Sequence, residues 1–120
     1  MADVVALVDD LFFQSKMMET AKQVGVELRA CSTPEALASE ISAAAPGLVV
    51  IDLNARGNPI EALRQAQSLA GEIPLIAYLS HVQTDLAESA RAAGCREVMP
   101  RSKFTRELAT ILARAKSKTS

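Results

Sequence analysis

The chain has 120 residues with 49% apolar content, enough for one hydrophobic core and too little for two, so a single domain over residues 1–120 is expected. The formal charge of −1 hides a basic C-terminal stretch in which Arg101, Lys103, Arg106, Arg114, Lys116 and Lys118 oppose only Glu107. These cations alternate with small residues at the end of an expected helix, so they read as a solvated face that complements the helix dipole, and nucleic-acid binding is not expected. No apolar run approaches the roughly 20 residues of a bilayer span, and Asp3 stands where a secretory signal would carry positive charge. Membrane insertion is therefore not expected. Cys31 and Cys95 belong to no motif, which points to a reducing compartment and a cytoplasmic location.

Short apolar runs alternate with helical patterns along the whole chain, the signature of strand-helix units around a parallel sheet. Residues 4–8 form the first expected strand. Phe13, Met17, Ala21 and Val24 recur at helical spacing behind it and stop at Gly25. Residues 26–31 form the second strand. Ser32, Thr33, Pro34 and Glu35 then give a helix start, Leu37, Ile41 and Ala44 its buried stripe, and Pro46 and Gly47 its stop. Residues 48–53 are the most apolar run and fit a central strand covered on both faces. A third helix carries Ile60, Leu63, Gln67 and Ala70 up to Gly71. Residues 75–79 are the fourth strand, and Leu86, Ala90 and Ala93 mark a fourth helix closed by Gly94. Residues 97–100 are a short fifth strand, followed by one helix with the stripe Phe104, Leu108, Ile111, Leu112 and Ala115. Residues 116–120 read as a flexible tail.

Five strands and five helices of this kind wind into a doubly wound α/β fold, a five-stranded parallel sheet of order 2-1-3-4-5 with helices on both faces. In that order strands one and three are neighbours at the switch point, where ligands bind beyond the carboxyl ends of the strands. Asp9 and Asp10 close the first run and Asp52 closes the third. Three carboxylates at the mouth of an apolar core repel one another and lose hydration, so together they call for a cation. A hard, oxygen-seeking ion such as Mg2+ suits them. The simpler alternative has Asp10 capping the first helix and the other two as solvated strand ends. The same strand order separates Cys31 from Cys95, so both thiols are expected to be free.

The acidic pair in VVALVDD, the lone acid in LVVIDLN and the strand IPLIAYLS together resemble the receiver domain of two-component response regulators over almost all of the chain. The resemblance implies a flavodoxin-like three-layer α/β/α fold and a phosphorelay module that is not an enzyme. It makes Asp52 the phosphoacceptor, with Mg2+ held by Asp9, Asp10, Asp52 and the backbone carbonyl of Asn54. It implies a histidine kinase or phosphotransfer protein as one partner and a downstream protein as another, with a homodimer through the last two helices. Two switch positions depart from the family. The strand-four hydroxyl falls on Leu79, with Ser80 one residue later, and the strand-five aromatic falls on Val98. Arg101 stands where receivers carry a phosphate-contacting lysine, so Arg101 and Ser80 are the residues left to touch a phosphoryl group. These losses raise an alternative, a pseudo-receiver that binds proteins independently of phosphorylation.

His81, the only histidine, reads as a solvated loop residue before it reads as a ligand. Phe13 and Tyr78 read as core, Phe12 as an exposed partner contact, and Met17 and Met18 as gap-fillers. A flavin- or nucleotide-binding enzyme on the same sheet is disfavoured, because the turn DDLFFQS is acidic and bulky where phosphate needs glycine or hydroxyl groups.

Overall fold

The computed structural model describes residues 2–55, 57–80 and 84–117. The strands are β1 (Val4–Leu7), β2 (Leu28–Cys31), β3 (Leu48–Asp52), β4 (Leu75–Leu79) and β5 (Glu97–Pro100). Between and after them lie α1 (Leu11–Val24), α2 (Pro34–Ala44), α3 (Pro59–Ala70), α4 (Thr84–Ala92), α5 (Arg101–Arg106) and α6 (Leu108–Ser117). All strand pairs are parallel and the order is β2-β1-β3-β4-β5, as expected.

Side chains alternate across a strand, so each strand feeds two cores. Val5, Leu7, Val49, Ile51, Ala77 and Leu79 meet Leu37, Ile41, Leu63 and Ala66 of α2 and α3 on one face. Val4, Ala6, Leu48, Val50, Ile76 and Tyr78 meet Phe13, Met17, Phe104, Ile111 and Leu112 of α1, α5 and α6 on the other. β1, β3 and β4 are buried along their whole length, which is why their sequences are continuously apolar.

The start signals act as read. Asp10 caps α1 and Thr33 caps α2, with Pro34 in its first turn. α2 ends on Ala45 in the left-handed region at φ 46°, one residue before Pro46. No glycine is available there, so the turn is held by the bond from the Ala45 amide to the Ile41 carbonyl.

Three expectations change. α3 buries Ala62, Leu63, Ala66 and Ala70, while Ile60 and Gln67 lie at the edge of that face. Small residues carry the contact because α3 packs closely against α2. The last helix is two segments broken at Glu107, giving six helices among the described residues. α5 rests on β4 and β5 whereas α6 rests on α1 and β3, and the turn at Glu107 serves both packings while the apolar stripe runs on across it. Finally, α6 continues to Ser117, so Lys116 and Ser117 are helical and not tail. The Lys116 ammonium reaches the Val24 carbonyl at 3.4 Å, and Arg114 donates twice to the Glu97 carboxylate at 2.8 and 3.0 Å. The basic face thus ties α6 to α1 and β5. Cys31 and Cys95 are buried and free. No helix among the described residues is long and apolar enough to cross a membrane.

Candidate functional site

Pairing of Leu7 with Ile51 and of Asp52 with Tyr78 brings the carboxyl ends of β1, β3 and β4 side by side. Asp52, the last residue of β3, is only 6% exposed and is the buried charged residue among those described. One of its oxygens accepts the Asn54 amide at 2.8 Å. The other oxygen takes no hydrogen bond among the described residues. Burial pushes the Asp52 carboxyl above its ordinary range; the Asn54 amide and the Arg101 charge oppose this, and Asp9 and Asp10 add to it.

Asp10 is engaged on both oxygens. Oδ1 accepts the amides of Phe12 at 2.9 Å and Phe13 at 3.2 Å, the capping role that a short acidic side chain fills at a helix start. Oδ2 accepts Nη2 of Arg101 at 2.8 Å. The guanidinium bond and then the capping amides hold the Asp10 carboxyl below the usual aspartate range. The same guanidinium lies over the Phe13 ring, with Cζ 4.3 Å from the centroid. A planar cation can stack and donate at once, which lysine cannot do. Arg101 therefore bridges the start of α5 to the start of α1 across the end of the sheet.

Tyr78 closes the floor of this end. Its ring stacks on Phe104 at 4.6 Å and meets Phe13 edge-on at 5.3 Å. The residue is 1% exposed and its hydroxyl has no hydrogen-bond partner among the described residues. Burial first, and then the nearby charge of Asp52, push the phenol well above its usual range. A buried hydroxyl left without a partner costs about 1–3 kcal/mol, so its position beside a carboxylate is informative.

The remaining predicted positions fall as follows. Leu79 is 3% exposed and its side chain enters the α2/α3 core, where half-buried Val98 packs against the same cluster. β4 pairs with β5 through to Leu79 and Pro100 without a bulge, so Ser80 lies beyond the strand with an exposed side chain. Its amide donates to the Asn54 side-chain oxygen at 2.6 Å. Asn54 thus clamps the loop after β3 to the end of β4, a role distinct from the backbone carbonyl assigned to it from sequence. Asp9 follows β1, half-buried. His81 lies outside the described residues. Leu11 and Phe12 are 72% and 91% exposed beside this end.

A divalent ion needs several carboxylate oxygens turned to one point. Among the described residues no three acidic, cysteine or histidine side chains are grouped to hold one. Asp10 gives one oxygen to two amides and the other to a cation, so in this arrangement both of its oxygens are already engaged. The capping alternative describes Asp10, and a guanidinium takes the place of its solvation.

Three features of the site carry no direct signal in the sequence pattern. The Asp10–Arg101 pair spans 91 positions. Tyr78 was read only as packing, although counting register from the strand order would have set it beside Asp52. The Asn54 side-chain clamp had no local signal.

No family model matches the chain, and no curated protein matches it. Solved structures do. The receiver domain of NtrX from Brucella abortus is 20% identical, with a TM-score of 0.79 over 94% of this chain and 97% of that one. A response regulator receiver domain protein from Clostridium thermocellum is 15% identical, with a TM-score of 0.80 over 99% and 97%. The beryllofluoride-activated NtrC4 receiver domain dimer is 15% identical, with a TM-score of 0.80 over 98% of each chain. Against a longer NtrX chain in complex with ADP, 98% of this chain aligns but spans only 26% of that chain. The chain has the fold of a response regulator receiver domain, the flavodoxin-like three-layer arrangement expected from its strand order.

Proposed function

We propose that the chain is a signalling module of the two-component type that works by binding other proteins, and that its state is not set by phosphorylation of Asp52. The observation that carries this reading is the Asp10–Arg101 pair at 2.8 Å. A cation built into the chain occupies the acid that a metal-assisted phosphoryl transfer would need, while Leu79 offers no hydroxyl to a phosphoryl oxygen. A switch requires contacts that differ between two states, and here the usual moving parts are apolar and packed. The partners are a histidine kinase or phosphotransfer protein and a downstream protein, met in the cytoplasm. Exposed Leu11 and Phe12 support a protein contact at this end. The last two helices are the proposed face for a homodimer.

A second reading is favoured by the Asp52 oxygen that takes no hydrogen bond among the described residues, at the carboxyl end of β3. In it, Asp52 accepts a phosphoryl group, with Mg2+ at Asp9, Asp10, Asp52 and the Asn54 carbonyl once Arg101 swings from Asp10 to the phosphoryl oxygens. Intact mass after incubation with acetyl phosphate and Mg2+ separates the two. The first reading predicts an unchanged mass. One added phosphoryl group that is absent from Asp52→Ala would establish the second.

A further inference from the structure

We infer that Tyr78 is the hydrogen-bond donor to the unshared oxygen of Asp52, and that it ties this carboxylate to α1 and α5. Residues 52 and 78 are partners in the β3–β4 register, so their side chains leave the sheet on the same face. One brings a buried donor without a partner among the described residues, and the other a carboxylate on a residue only 6% exposed, of which one oxygen accepts the Asn54 amide and the other accepts no hydrogen bond among those residues. Buried polar groups pair where a partner is in reach, and a bond to a carboxylate is of the stronger, charge-assisted kind. The bond is made directly or through one bridging water. The ring on the other side of that hydroxyl is held between Phe104 of α5 and Phe13 of α1, and Phe13 in turn carries Arg101. One side chain therefore supplies both the hydroxyl that position 79 lacks and the aromatic ring that position 98 lacks. As a positioning residue, Tyr78 holds the unphosphorylated carboxylate, which is the starting state of Asp52 in either reading, so the tie does not depend on which reading holds.

Tyr78 is the only tyrosine and the chain has no tryptophan, so its absorbance and emission report this one ring. Asp52→Ala should shift the phenol absorbance to shorter wavelength and raise its emission, because the carboxylate partner is lost. Asp85→Asn, which removes an acid on α4, should change neither. Amide spectra supply the second arm. Asp52→Ala should move the amides of Phe104 and its α5 neighbours, and most of that movement should disappear when the same change is made in Tyr78→Phe, which keeps the ring and drops the hydroxyl. Unchanged tyrosine spectra in Asp52→Ala, or equal α5 movements with either residue at position 78, would overturn the inference.

Discussion

Asp10 and Asp52 titrate the fold in opposite senses. Asp10 has its carboxyl held below the ordinary value of 3.8 by Arg101 and the capping amides. The stability from that site is present above 3.8 and is lost as pH falls through the lowered folded value. Asp52 is raised by burial, so its site is most comfortable below 3.8 and loses stability as pH rises through the raised folded value. Asp52→Asn is accordingly expected to melt above the wild type at neutral pH, with the gap closing as pH drops below 3.8. Thermal melts across that range check it, and a lower melting temperature at neutral pH would contradict burial as the cause. Arg101→Lys keeps the charge but loses the stack on Phe13. It should melt between wild type and Arg101→Ala, and the Asp10 carboxyl should titrate at higher pH in both variants when followed by side-chain NMR.

At the scale of elements, α5 is held chiefly by Phe104, which is fully buried against Tyr78. Phe104→Ala should cost about 3–5 kcal/mol in chemical denaturation, since it removes a stacked ring from a closed core. Gly94 sits at φ 111°, and a Cβ there would come within 3.1 Å of the Gln67 side chain. Gly94→Ala combines a left-handed backbone with that crowding and should cost about 1–3 kcal/mol by the same measurement. Most elements were legible in sequence because β1, β3 and β4 are continuous apolar runs and α1, α2 and α3 begin at a capping residue or proline. The misread ones share a cause. In α3 the contact is made by Ala62 and Ala66, whose small size hides a buried face, and at Glu107 an unbroken apolar stripe conceals a turn imposed by packing on two different sets of neighbours.

On the scale of the whole molecule, the strand order was readable and it alone gathered Asp9, Asp10 and Asp52 at one end of the sheet. What composition and spacing could not show is which partner each acid takes. Charge counting favoured a metal among three acids, whereas tertiary contacts from Arg101 and the α1 amides satisfy Asp10 within the chain. The receiver fold is thus retained with its acidic end pinned by an internal cation and its floor closed by Tyr78 and Phe104. An amide spectrum recorded before and after adding Mg2+ and beryllofluoride tests that claim most directly. The account predicts that resonances of α4, α5 and α6 stay in place. Displacements through those three helices that vanish in Asp52→Ala would contradict it.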